Sequence, residues 1–320
     1  MKLPKPPAYR NPLEFITRHN RANFKKALEY AFGWWLMCAL RFWVLAMPLR
    51  FALELPAALA CLFSKIPFKR KKLVRENLKR AFPEISDEML NTLLRKIIKN
   101  ASRSFLELFL MERYNRAKVA KLVEIKGAEH LEFVKKQGRG AIIVSAHFGT
   151  FTYGAMKLAS LGYDVALLSK SQKDPVVDWY FKIIRLKQNI ADITEHPINR
   201  AIREIVKLLK NKGVLYFQFD QRAPAEQADT IFFGYPVHTY HTPVKFARKT
   251  KAAILPAFMR YHGAKHILEI FEPVALGEQI ETAEQEQQIL QKLTSIIEAQ
   301  IRKRPDLWWW FHNRWHRYRP

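Results

Sequence analysis

The stretch GRGAIIVSAHFGTFTYG, residues 138 to 154, opens on a turn signal, Gly138-Arg139-Gly140, and runs into six residues, Ala141 to Ala146, nearly all apolar. A short apolar run after glycines reads as a strand buried on both faces, the kind a parallel sheet contains. His147 stands at its carboxyl end, followed by Phe148, Gly149 and Thr150, and then by a helical pattern through Met156, Leu158 and Leu161. Open α/β sheets place their chemistry in the crevice beyond the carboxyl ends of strands. A histidine there can serve as a base, because its unperturbed pKa is about 6.5. Taken alone, it reads first as a structural cap.

Downstream of that strand the same alternation repeats. Val165 to Leu168, Val214 to Phe219, Ala253 to Met259 and His266 to Phe271 read as strands; Val176 to Leu186, Asn199 to Leu209 and Pro243 to Lys249 read as helices. Alternation of this kind predicts an α/β fold, a mostly parallel central sheet flanked by helices. A last helix, Glu284 to Arg302, carries Ile289, Leu293, Ile296 and Ile297 on one face. Upstream, Ser86 is placed to cap a long amphipathic helix through Leu90, Leu93, Ile97, Ala101, Phe105 and Leu108.

The chain has 320 residues, with 54 Lys and Arg against 29 Asp and Glu, a net charge of +25. Such a charge calls for an anionic partner: nucleic acid, an anionic membrane surface or an acidic protein. Eight tryptophans favour the membrane surface, where Trp and Tyr settle at the interface. The two cysteines, Cys38 and Cys61, exclude a disulfide framework and a cysteine-rich zinc site. Residues 1–26 are basic and proline-bearing and read as a flexible N-terminus, residues 27–66 as a membrane anchor or interfacial helix region, and residues 67–320 as the α/β domain. The most apolar window, Ala31 to Leu49, is long enough to span a bilayer but contains Arg41, which costs roughly 2.5 to 3.5 kcal/mol at a helix centre. A single span and an interfacial helix both fit.

Three further stretches carry chemistry. Phe181 to Arg185 ends a helix and offers the Arg185 cation; Asp220-Gln221 ends a strand beside which His147 would share a crevice; Phe232-Phe233-Gly234-Tyr235-Pro236 reads as an apolar loop, the wall of a pocket for a greasy ligand. The pairs His238/His241 and His262/His266 fall in loop or turn sequence without carboxylate or cysteine support, and His312/His316 belongs to the Trp-rich tail, where interfacial His and Arg suffice, so no metal is expected. The terminal RPDLWWWFHNRWHRYRP reads as membrane-facing, and no nucleic-acid motif accompanies it.

In their order along residues 30 to 318, Arg75-Glu76-Asn77-Leu78, Phe82-Pro83-Glu84, His147-Phe148-Gly149, Asp220-Gln221, Phe232-Phe233-Gly234 and Trp308 to Trp310 with His312, Arg314 and Trp315 resemble one family. It is the lipid A late (secondary) acyltransferases of the lysophospholipid acyltransferase superfamily. The resemblance implies a glycerol-3-phosphate acyltransferase-like fold with an N-terminal membrane-associated helix, at the cytoplasmic face of a cell inner membrane. It implies transfer of a fatty acyl chain from an acyl carrier protein or CoA thioester to a hydroxyl of a lipid A-type glycolipid, without a bound cofactor. His147 would be the general base, Arg185 the substrate positioner or oxyanion partner and Asp220 a structural or compensating acid, with Phe148, Gly149, Thr152, Gln221, Phe232 and Phe233 around the substrate. The acidic carrier protein suits the basic chain. One departure stands out: the family's motif is His, four residues, then Asp or Glu, and here the last position is Thr152. Asp220 is the first candidate to replace the missing acid, Asp164 and Glu195 the next. The alternatives are a diverged member that moves another acyl or aminoacyl group or uses another lipid, and an inactive lipid-binding relative.

Overall fold

The computed structural model describes residues 24–49, 51–52, 54, 58–59, 69–172, 174–224, 227–262, 265–275 and 282–315. Cys61, His316 and residues 1–23 of the basic N-terminus lie outside them.

The apolar run after Gly140 forms β2 (Ala141–Ser145), every residue of it buried. It is central because it pairs in parallel on both sides, with β5 (Val214–Gln218) and with β8 (Ala253–His262). Beyond β5 lie β3 (Val165–Ser169) and β4 (Ile190–Thr194), also parallel. Beyond β8 lie β9 (Lys265–Ile270), its antiparallel hairpin partner, and then β1 (Val123–Lys126). The sheet order is β1-β9-β8-β2-β5-β3-β4. Gly140 admits the chain to this position, because a Cβ there would stand 2.3 Å from the Leu209 carbonyl oxygen.

Side chains of β2 alternate between two cores. Ile142 and Val144 join a core with α8 (Ile198–Lys210), α9 (Thr242–Thr250) and α10 (Ala283–Lys303), while Ala141 and Ile143 join one with α5 (Ala128–Lys136), α6 (Thr152–Ser160) and α7 (Pro175–Lys187). Between the first core and solvent lies α2 (Lys69–Ala81). A 24-residue helix, α3 (Asp87–Leu110), reaches both: Leu90, Leu94, Ile97 and Ile98 enter the first core, and Leu106, Phe109 and Leu110 the second. Ser86 caps α3, accepting from the Met89 amide at 3.2 Å. Phe105, expected on the buried stripe, is 41% exposed, because the stripe shifts face where α3 passes from one core to the other.

Two expectations are corrected. The Phe232–Pro236 stretch is not a loop but the tip of a hairpin, β6 (Ala228–Phe232) and β7 (Tyr235–Thr239), turning through Phe233 and Gly234 at positive φ. The described part of the tail, to Trp315, packs inward instead: Trp308, Trp310 and Trp315 are buried against the first core with their rings on Phe232 and Phe233, and of its four tryptophans only Trp309 is exposed. Rings of that size each contribute about 3 kcal/mol when fully buried, which outweighs a place at an interface.

At the N-terminus, α1 (Phe24–Ala46) packs on α3, and among the described residues no helix is long and apolar enough to cross a membrane. Arg41 is turned inward, both its Nε and Nη2 donating to Glu112 at 2.8 Å, and Arg113 donates to the Met47 carbonyl at 2.9 Å. A mid-helix arginine is tolerated because α1 leans on protein along that face.

Candidate active site

The register of β2 on β5 pairs Ser145 with Gln218. Each chain then runs two residues further, so His147 and Asp220 leave neighbouring strands at the same height. Asp220 is buried and accepts three hydrogen bonds: from the His147 amide at 3.0 Å, from His147 Nδ1 at 2.8 Å and from the Trp308 indole Nε1 at 2.7 Å. Burial pushes the carboxyl pKa up, but the charge and hydrogen bonds of His147, with the Trp308 indole, overcome this and hold it at about 2. An ionised acceptor at Nδ1 puts the ring proton there and leaves Nε2 as a lone pair. The His147 side chain keeps 26% of its surface exposed. Gln221 Nε2 lies 3.3 Å from His147 Nε2, and the Phe151 ring meets the imidazole edge-on with centroids 5.0 Å apart.

The C-terminal segment clasps this pair. Gly149, at φ +54°, donates its amide to the Leu307 carbonyl at 2.9 Å, and the Trp309 amide donates to the His147 carbonyl at 3.0 Å. Asn77 of α2 holds the clasp from outside, its Nδ2 donating to the carbonyls of Trp310 and His312 at 2.9 and 3.0 Å. His312 Nε2 accepts from the Arg222 amide at 3.0 Å. Burial drives the His312 pKa down to about 4 against the pull of Asp220, so the ring is neutral at pH 7. Arg314 is buried beneath, donating to the Gln221 and His238 carbonyls at 2.8 and 2.6 Å and to Thr239 Oγ1 at 2.8 Å. Its pKa falls to about 10 through burial, opposed by Asp220, and it remains a cation.

From the opposite side Glu107 of α3 anchors the same loop. Its carboxylate accepts from Thr150 Oγ1, from Arg103 Nε at 2.9 Å and faces His266 Nε2 at 3.1 Å. Burial opposes its ionisation, yet His266 and Arg103 keep its pKa below the ordinary value.

Of the residues singled out in the sequence, His147, Asp220 and Gln221 meet, with Gly149 shaping the loop. The others lie elsewhere. Arg185 Nη1 donates to Asp192 Oδ1 at 2.6 Å, so its guanidinium is engaged at β4 and not by His147. Thr152 begins α6, is buried, and its Oγ1 has no partner; it does not bond the imidazole. Phe148, Phe232 and Phe233 are buried in the aromatic core. Trp308 and Arg314 entered the sequence reading through the terminal motif alone, without a role at the site, and Glu107 did not enter it. The physical signal for Trp308 is that a buried indole N–H needs an acceptor. Among the described residues no group of three His, Cys, Asp or Glu side chains is placed to hold a metal ion.

Sequence comparison adds to this geometry. The family model described as bacterial lipid A biosynthesis acyltransferase matches residues 21–317. The chain is similar to the lipid A biosynthesis lauroyltransferase of Escherichia coli (strain K12), 23% identical over 300 residues that cover 92% of this chain and 95% of that protein. A lipid A biosynthesis acyltransferase of Haemophilus influenzae is 22% identical over 289 residues, 88% of this chain and 89% of its own length. The lipid A biosynthesis myristoyltransferase of E. coli K12 is 20% identical over 290 residues, 90% and 88% of the two chains.

Proposed function

The chain belongs to the bacterial lipid A biosynthesis acyltransferases, and from that premise we propose that His147 is the general base of an acyl transfer to a lipid A-type glycolipid. It is an acyltransferase of groups other than aminoacyl groups. The donor in our reading is a thioester on acyl carrier protein or CoA, and the acceptor a sugar or hydroxyacyl hydroxyl presented at the cytoplasmic face of the inner membrane.

His147 Nε2 takes the proton of the acceptor hydroxyl as its oxygen attacks the thioester carbonyl carbon. The tetrahedral intermediate collapses with cleavage of the C–S bond, and the imidazolium returns the proton to the departing thiolate. Asp220 fixes the tautomer and stabilises the imidazolium. For the oxyanion we assign the Gln221 side-chain amide, 3.3 Å from His147 Nε2. Arg185, engaged by Asp192, has no contact with the reacting atoms in this scheme. The observation that carries the reading is the 2.8 Å bond from His147 Nδ1 to a buried, ionised Asp220. It supports an active enzyme over the inactive alternative, which rested on Thr152 alone.

Membrane association is assigned to α1, whose outer face exposes Phe32, Trp35, Leu36, Phe42 and Trp43 at helical spacing. The test is product mass spectrometry with purified protein, an acyl carrier protein thioester and a lipid A-type acceptor. Wild type should add one fatty-acyl mass, and His147→Ala should add none while keeping its fold. Undiminished transfer by His147→Ala would end the proposal.

A further inference from the structure

A cavity opens on the same edge of the sheet as His147. Its volume is about 270 Å³, just under the roughly 300–1,000 Å³ of complete small-molecule sites, so it suits a head group and not a whole lipid. Lys265 and His266 begin β9 opposite the last residues of β8, which places them at the carboxyl edge. Two strand spacings separate β9 from β2, roughly 10 Å. The bonded layer Thr150–Glu107–His266, with Tyr153 and Tyr261 packed on the His266 ring, links the loop carrying His147 to the cavity wall.

The cavity is cationic at its rim. Lys118, Lys121 and Lys265 line it, all exposed, and among the described residues none of the three has a carboxylate within ion-pair distance. Lys118 is steadied over the Tyr114 ring, 5.2 Å from its centroid. The one carboxylate in the wall, Glu107, is already matched by Arg103 and His266. His266 is buried in that wall, its Nε2 used by Glu107 and its Nδ1 without any partner. Leu49, just past the end of α1, completes the wall, so the cavity lies beside the helix to which membrane association is assigned.

We propose that this cavity binds a phosphorylated sugar, its phosphate held among the three lysines at the rim. Resting on the acyltransferase reading above, the sugar phosphate is the acceptor's head group, seated so that its acylated part reaches His147.

The probe is glucosamine 1-phosphate, titrated calorimetrically into the full-length protein without any donor. The wild type should bind at roughly millimolar concentration, and the triple variant Lys118→Gln, Lys121→Gln, Lys265→Gln at least tenfold more weakly. A control that loses the same charge at exposed sites elsewhere, Lys207→Gln, Lys210→Gln, Lys249→Gln, should bind as the wild type does. In turnover the first triple should raise the acceptor KM about tenfold with kcat and donor KM unchanged. Equal binding by all three proteins, or none by the wild type, overturns the site. A rise confined to the donor KM overturns the acceptor assignment and gives the lysines to the phosphodiester of the donor's pantetheine arm. Binding as expected without turnover on any donor supports the site and removes only the acyltransferase reading.

Discussion

At His147 the deciding contact is the 2.8 Å bond to Asp220, and its removal without change of shape is the sharpest test of it. Asp220→Asn keeps a side chain of the same size but offers the ring either an N–H or a neutral oxygen. In a serine-protease triad the same change lowers turnover about 10⁴-fold, and a loss of 10³ to 10⁴ in kcat is expected here. The contribution to stability has a defined sign. The folded pKa, about 2, lies below the 3.8 of a free carboxyl, so the stabilisation is complete above pH 4 and is lost as the pH falls through 2. It amounts to roughly 2.5 kcal/mol. Urea unfolding should therefore show a wild-type advantage over Asp220→Asn at pH 6 that shrinks steadily below pH 4. Thr152 gives the complementary case. An aspartate there would gain about 0.3–1 kcal/mol from the first turn of α6, but a buried charge without a partner costs several times more. Thr152→Asp should then lose stability by 1 kcal/mol or more in urea and gain nothing in kcat, since Nδ1 is already taken. A rise in kcat would mean that the motif acid acts independently of Asp220.

The clasp of residues 305–315 is the element that turns two strand ends into a site, and Trp308 is its point of contact. Trp308→Phe keeps the aromatic packing and removes one hydrogen bond to a charge, worth about 1.5–3 kcal/mol. The pKa of Asp220 should rise toward the ordinary carboxylate value, and kcat should fall about tenfold; wild-type kcat, with unfolding in acid at the wild-type pH, would reduce Trp308 to packing. Such an element marks where sequence reading stops. The sheet core was legible because β2, β5 and the first seven residues of β8 are almost wholly apolar and lie between glycines, turns and amphipathic helices. β1 and β4 escaped notice because VEIK and IADIT sit at the sheet's two edges, where polar residues dilute the signal. His147, Asp220 and Gln221 stood out as strand-end groups, and their meeting follows from β2–β5 adjacency, which periodicity alone does not establish. The tail was misplaced for a physical reason. Aromatic rings among arginines have the composition of an interface and equally that of a core whose cations are paid out to backbone carbonyls, as Arg314 is. Composition cannot separate the two; the partner, Asn77 some 230 residues earlier, decides.

For the whole molecule the question is how a chain of charge +25 meets its lipid, and charge alone does not answer it. Attraction between exposed charges and an anionic surface fades beyond about 10 Å at 0.1 M salt, so it can concentrate the protein without fixing its orientation. We propose that orientation comes from α1. One of its faces is spent on protein, with Met37 and Val44 buried and Arg41 bound to Glu112, so the helix cannot turn that side to hydrocarbon without breaking a bidentate pair. The opposite face is free, with Phe32, Trp35 and Phe42 exposed by 63%, 64% and 74%. In the proposed reading a helix held in this way lies along the interface, aromatic side down. Two contributions then predict two behaviours in vesicle sedimentation. On anionic vesicles the wild type should bind more weakly at 0.5 M than at 0.05 M salt but not be released, because the aromatic insertion is not screened. The variant Phe32→Ser, Trp35→Ser, Phe42→Ser should bind at low salt and be released by high salt, while retaining turnover on acceptor dispersed in detergent, since none of the three side chains touches the site. If the variant instead resists salt as the wild type does, the anchoring lies outside α1, and the arginine–glutamate pair serves the fold alone.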